Sequence, residues 1–212
     1  MQFTTVFFDL DDTLYPANSG LWQAIKQRIS QYMRDRVGIP ADRVDALRQH
    51  YLDHYGTTLL GLKANYAVDV DDYLAFVHDL PLRDYIKPIP GLRPILEAMP
   101  ARKFIFSNAD RNHVRRVLEV LEIEGCFDGV LDVLAMFPHC KPMPETFAMA
   151  LRLAGETDAR HCALIDDSPR TTRAARRLGM FTILYGAGEA HPDADAVLND
   201  LYLLPGLLDG RA

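Results

Sequence analysis

Near the start of the chain, Asp9-Leu10-Asp11-Asp12-Thr13 sets two carboxylates two positions apart and a hydroxyl two further on, right after the apolar run of residues 3–8. Two other short apolar runs end on polar groups: residues 103–106 meet Ser107-Asn108, and residues 162–165 meet Asp166-Asp167. Lys141-Pro142 stands ahead of the helical stretch between them. The Asp-rich run alone reads better as a turn opening a helix. Its weight comes from the other groups, which follow at strand ends in order. Carboxylates gathered at one place repel, so a cation must neutralise some of them. Oxygen ligands without His or Cys favour Mg²⁺ over zinc. A carboxylate can attack phosphorus and give an aspartyl-phosphate. A second carboxylate two residues on can protonate the leaving oxygen and later deprotonate water. A lysine, a hydroxyl, an amide and backbone N–H groups can neutralise the equatorial oxygens of a phosphoryl group.

These residues need elements that bring them together. Residues 3–8, 103–106, 129–134, 162–165 and 180–184 read as strands. Between them, Val114, Val117, Leu118 and Leu121 keep helical spacing, as do Phe147, Ala150, Leu151 and Ala154 in a helix over 144–154. Ser168 reads as the cap of a further helix with Pro169 at its first position. Alternating strands and helices predict an α/β fold, a doubly wound Rossmann-like parallel sheet with helices on both faces. Ligands in such sheets bind beyond the carboxyl ends of the strands. Four helix-like segments interrupt the alternation after the first strand, the first opened by Ser19, the second by Pro40 and closed by Gly56, and two shorter ones at 57–66 and 71–80. The expected organisation is a core of residues 1–16 and 89–212 with an inserted all-α helical cap over 17–88.

The chain has 212 residues and a net charge of −6, which argues against a nucleic-acid polymer as partner. Asp outnumbers Glu 22 to 7, so convergence of several Asp is worth seeking. Cys126, Cys140 and Cys162 lack a C-x-x-C spacing and fit reduced thiols in a cytoplasmic protein. The N-terminus lacks the basic region of a signal peptide. No apolar run reaches the length of a membrane helix, so no membrane partner is expected.

The four groups resemble the motifs of the haloacid dehalogenase superfamily of phosphohydrolases: Phe-Phe-Asp9-Leu-Asp11-Asp-Thr13-Leu-Tyr15, Phe-Ser107-Asn108-Ala-Asp110, Lys141-Pro142 and Ile-Asp166-Asp167-Ser168. The resemblance implies Asp9 as nucleophile and Asp11 as general acid/base. It implies Mg²⁺ on Asp9, the Asp11 carbonyl and the Asp166/Asp167 pair, with Asp167 as the direct ligand of that pair. It maps Ser107, Asn108 and Lys141 to phosphate binding. A narrower resemblance, to the pyrimidine 5′-nucleotidase branch, rests on Leu-Tyr15-Pro, Tyr55-Gly-Thr-Thr58-Leu-Leu-Gly61-Leu, Asp71-Asp72-Tyr73 with Phe76-Val-His78, and Ser107-Asn-Ala-Asp-Arg111. It implies a nucleoside 5′-monophosphate as the small phosphorylated substrate. Thr171 departs from the Asn or Asp of relatives.

Within the insert, Thr57 and Thr58 beside Gly56 and Gly61 are expected in a loop facing substrate. Tyr51, Tyr73 and Phe76 are expected as core. His50, His54, His78, His113 and His139 show no ligand spacing and read as surface or satisfied histidines. The alternatives are a phosphatase or mutase for a sugar phosphate or phosphoglycolate, a receiver-type phospho-accepting module, and an inactive scaffold. The receiver reading suits neither the chain's length nor an Asp pair after Lys141. The scaffold reading expects a lost motif, and none is lost.

Overall fold

The computed structural model describes residues 3–210. In chain order, β1 (Thr5–Phe8) is followed by α1 (Leu21–Asp35), α2 (Ala41–Tyr55), α3 (Thr58–Asn65), α4 (Val70–Val77), α5 (Leu82–Tyr85) and α6 (Leu92–Ala98). Then come β2 (Arg102–Phe106), α7 (Arg111–Leu121), β3 (Gly129–Leu131), α8 (Val133–Met136) and α9 (Pro144–Ala154). The chain continues with β4 (Cys162–Asp166), α10 (Pro169–Arg177), β5 (Phe181–Tyr185), β6 (Ala196–Leu198) and α11 (Leu204–Asp209). Among the described residues, six strands pair in parallel in the order β3-β2-β1-β4-β5-β6. Strands step outward from β1 to β3 on one side and from β4 to β6 on the other. Crossovers in both directions from β1 put helices on both faces, the doubly wound arrangement.

Burial explains why these segments are strands. All four residues of β1 and all five of β4 are buried, as strands covered on both faces must be. On one face, Phe7, Phe104, Phe106 and Leu164 pack with Phe147, Ala150 and Ala154 of α9. The Phe106 and Phe147 rings meet edge-on, 5.4 Å apart.

The chain forms two compact units, Ser19–Tyr85 and the flanking segments up to Asn18 and from Ile86. In the helical unit, Tyr51 and Tyr73 are buried, whereas Phe76 is half-buried with the Arg28 guanidinium 3.8 Å over its ring. A Cβ on Gly61 would come within 2.1 Å of the Tyr51 ring, so glycine there lets α3 approach α2. Thr57 and Thr58 are not in an open loop. Thr57 caps α3, its Oγ1 accepting from Leu60 N at 3.2 Å, and Thr58 is the first helical residue. The cap wins because a threonine hydroxyl satisfies an N–H that the first helical turn otherwise leaves without a partner.

Four local expectations are corrected. The strand expected over 129–134 stops at Leu131, because Asp132 caps α8 through Ala135 N at 3.1 Å and also accepts from Arg111 N at 2.9 Å. Residues 180–184 are not the last strand, since β6 follows with only three residues, too few to display an alternation. Ser168 precedes α10 without capping it by its side chain; its N–H donates to Asp166 Oδ1 at 2.9 Å instead. At α1 the residue before the helix is Gly20, in the left-handed region at φ 83°, while Ser19 Oγ accepts from Leu21 N at 3.2 Å.

Candidate active site

Sheet order explains the site. β2, β1 and β4 are neighbours, so their carboxyl ends lie side by side at the roughly 4.8 Å strand spacing. The ladder runs to the very edge: Asp9 N donates to Ile165 O at 2.9 Å, and Ser107 N donates to Leu131 O at 3.0 Å. Beyond that edge Asp12 takes φ 56°, a left-handed turn that Asp tolerates better than most residues.

Asp9, Lys141 and Asp166 are all buried and meet directly. Lys141 Nζ donates to Asp9 Oδ1 at 2.6 Å and to Asp166 Oδ2 at 2.8 Å. Thr13 Oγ1 lies 3.4 Å from Asp9 Oδ2. Lys141 is itself anchored by Asn108. Lys141 N donates to Asn108 Oδ1 at 2.8 Å, and Asn108 Nδ2 donates to Lys141 O at 3.1 Å. The Asn108 amide, read as a phosphate contact, thus serves at both ends as a clamp on the lysine backbone. Ser107 is buried at the end of β2, and its Oγ accepts from Ala109 N at 3.1 Å.

The carboxylates outnumber the cation. Burial raises the Asp9 pKa well above the ordinary carboxylate value; Lys141 opposes this, while Asp166 and Asp167 add to it. Asp167, although its side chain is exposed, is pushed up to about 7 by desolvation and then by Asp166. Desolvation pulls the buried Lys141 ammonium down, but the two carboxylates outweigh it and hold the charged form firmly. Carboxylate oxygens of Asp9, Asp166 and Asp167 lie within 4.8 Å of one another. Three hard oxygen donors, under-neutralised by one lysine, fit a divalent cation.

Asp11 has a different environment. Its Oδ1 accepts from Tyr15 OH at 2.6 Å and lies 2.9 Å from His113 Nε2. Burial first, then Asp11, holds the Tyr15 phenol far above its ordinary pKa, so it remains a donor. Asp110 caps α7 by accepting from Asn112 N at 2.8 Å and His113 N at 3.2 Å, which fixes the first turn that carries His113. Neither Tyr15 nor His113 was assigned a site role from sequence. The available signal was position: His113 is the third residue of a helix that starts just beyond the carboxyl end of β2. Thr57 and Thr58 belong to the helical unit, and Thr171 is buried in α10.

Residues 3–179 match the family model of haloacid dehalogenase-like hydrolases. A curated relative, phosphate metabolism protein 8 of Saccharomyces cerevisiae, is 31% identical over 193 residues, covering 84% of this chain. The chain spans about 60% of that relative's length. Among solved structures, L-2-haloacid dehalogenase from Xanthobacter autotrophicus aligns with a TM-score of 0.64 at 16% identity over 99% of this chain and 100% of its own. A predicted phosphoglycolate phosphatase from Haemophilus somnus aligns with a TM-score of 0.64 at 19% identity over 98% and 99%. Among the described residues no helix is long and apolar enough to cross a membrane.

Proposed function

The chain belongs to the haloacid dehalogenase-like hydrolases, and from that premise we propose that it is a Mg²⁺-dependent phosphomonoesterase of the cytoplasm acting on nucleoside 5′-monophosphates. The observation that carries the reading is the pair of unlike carboxylates two residues apart. Asp9 is gripped by Lys141, and Asp11 is held by Tyr15 and His113. A dehalogenase has no need of an acid two residues after its nucleophile; a phosphatase does, because an alkoxide leaving group must be protonated.

In the proposed reaction Asp9 attacks phosphorus as the ester P–O bond breaks, and the departing oxygen takes a proton from Asp11. Asp11 then accepts a proton from water as that water attacks the aspartyl-phosphate. The acyl-phosphate bond breaks, and the Asp9 carboxylate and inorganic phosphate are released. Lys141 and the Ser107 hydroxyl bind the phosphoryl oxygens, and Asn108 supports Lys141. Asp9, Asp166, Asp167 and the Asp11 carbonyl would hold Mg²⁺, whose chemistry is to offset charge on the phosphoryl oxygens. Thr57 already bonds to Leu60 N, so Thr58 is the better candidate of the pair for substrate preference.

The nucleotide preference follows the narrower resemblance given above. The test is phosphate release across nucleoside 5′-monophosphates, sugar phosphates and phosphoglycolate, with Mg²⁺ and with excess chelator. Release from nucleotides above all others, abolished by chelator, is expected. Full activity in chelator, or stronger release from another class, would replace this reading.

A further inference from the structure

We infer that His113 is a positioning residue that, with Tyr15, aims the Asp11 carboxyl for proton transfer; this rests on the phosphatase reading above. His113 is fully buried, so its imidazole is not a surface histidine that happens to lie near a carboxylate. Its Nε2 sits 2.9 Å from Asp11 Oδ1, and the Tyr15 hydroxyl reaches the same oxygen at 2.6 Å. The donors come from separate elements, Tyr15 from the segment after β1 and His113 from the first turn of α7. A carboxylate only accepts, so the imidazole presents Nε2–H to it.

Two donors converging on one oxygen have two consequences. They fix the rotation of the carboxyl, and they place any proton that Asp11 carries on Oδ2. Donors from two separate elements thus orient Asp11 by geometry.

The experiment compares His113→Leu and His113→Gln on a nucleoside 5′-monophosphate and on p-nitrophenyl phosphate. On the nucleotide, His113→Leu should lower kcat/KM by about 10- to 100-fold, the scale set by a misplaced catalytic group. On the aryl ester, whose leaving oxygen needs little protonation, kcat/KM should hold while kcat and KM fall together, because only hydrolysis of the aspartyl-phosphate is slowed. His113→Gln, which restores an N–H donor at a similar reach, should recover most of the loss. In an Asp11→Asn background, His113→Leu should not change the burst of nitrophenol release, since the carboxyl that transfers the proton is already gone. If His113→Leu does not fold, His113→Asn, too short to reach Asp11, takes its place. Equal loss of kcat/KM on both esters, or a loss that persists without Asp11, would overturn the assignment. Absence of phosphate release from either ester by the parent enzyme would instead remove the phosphatase reading. The positioning claim is then decided by ¹⁵N-histidine NMR: a His113 Nε2–H signal that shifts in Asp11→Asn supports it, and an unmoved one refutes it.

Discussion

Both edges of the sheet carry buried or half-buried charge, and they handle it in opposite ways. All six strands are parallel, so their starts share one edge and their ends the other. At the amino edge Glu156 Oε1 accepts from Thr4 Oγ1 at 2.8 Å, Thr5 Oγ1 at 2.5 Å and Arg102 Nη2 at 2.8 Å. Burial raises the Glu156 pKa, but the threonines and the arginine more than offset it, and the net shift is downward. At the carboxyl edge one lysine faces Asp9 and Asp166 directly, with Asp167 close by, and both Asp9 and Asp167 are pushed upward. One charge cluster is satisfied by the protein itself. The other is left in need of a positive charge from outside, which is the signature of a site rather than of a fastening.

The largest effect that could break this contrast comes from Asp9, the proposed nucleophile. Asp9→Asn should lower phosphatase activity by at least about 10⁴-fold, in the range of losses seen when a nucleophile is removed. Intact mass after acid quench with an aryl phosphate should show no phosphate adduct in Asp9→Asn and an accumulated one in Asp11→Asn. An adduct in Asp9→Asn, or one mapped to Ser107 or Thr13, would move the chemistry to another residue. Next in size is the metal. Excess chelator should cost about 10³-fold in rate, a few kcal/mol of lost charge stabilisation, and Asp167→Asn should raise the Mg²⁺ concentration needed for half-activity.

The same contrast predicts an effect on stability alone at the other edge. Glu156→Gln replaces a charged acceptor of three hydrogen bonds with a weaker one and should destabilise by about 1–2 kcal/mol. Its kcat and KM should match the parent, since Glu156 lies at the opposite edge of the parallel sheet from the site. Denaturant unfolding and steady-state kinetics on the same preparation check both halves. Loss of kcat with unchanged stability would show that the two edges are not separable.

The carboxyl edge was far more legible in sequence than the rest. Asp9 and Ser107 follow strands, Asp166 ends one and Lys141 precedes a helix, and the proposed phosphoryl chemistry narrows the residue types acceptable there. Helix α9 was read residue for residue, because proline at its start and Gly155 after its end leave little freedom. His113 was not read as a site residue, because its partner Asp11 is 102 positions away and only the sheet order joins them. Asn108 was read as a ligand because its type suits phosphate, yet its amide is taken by the Lys141 backbone, which no spacing reveals. Gly56 signals a break and so makes Thr57 read as loop; the cap that begins α3 in the very next residue depends on Leu60 N. β6 has three residues, fewer than a period-2 pattern needs to declare itself.

The smallest expected effect is also the most direct reading of crowding at the carboxyl edge. Asp167 has a folded-state pKa near 7, against an ordinary carboxylate value near 3.9 in the unfolded chain. The folded protein therefore binds this proton more tightly than the unfolded chain does. By linkage, the contribution of Asp167 to stability falls as pH rises from about 4 to about 7, and is recovered as pH is lowered through that window. Asp9 acts in the same direction. Glu156 acts in the opposite one: its depressed pKa adds stability above the unfolded value and is lost on acidification through the folded one. Asp167→Asn carries no charge at any pH, so in chelator it should melt slightly above the parent at about pH 7.5, the gain kept small by solvent screening of the exposed side chain. That advantage should shrink on acidification and vanish near pH 4, where Asp167 is protonated in the parent too. Saturating Mg²⁺ should erase it as well, because the cation supplies the positive charge that the parent lacks. Thermal melts of both proteins across this range, with and without metal, measure the difference. A gap that stays constant with pH would assign it to packing or hydrogen bonding at residue 167 and remove crowded charge as the distinction between the two edges.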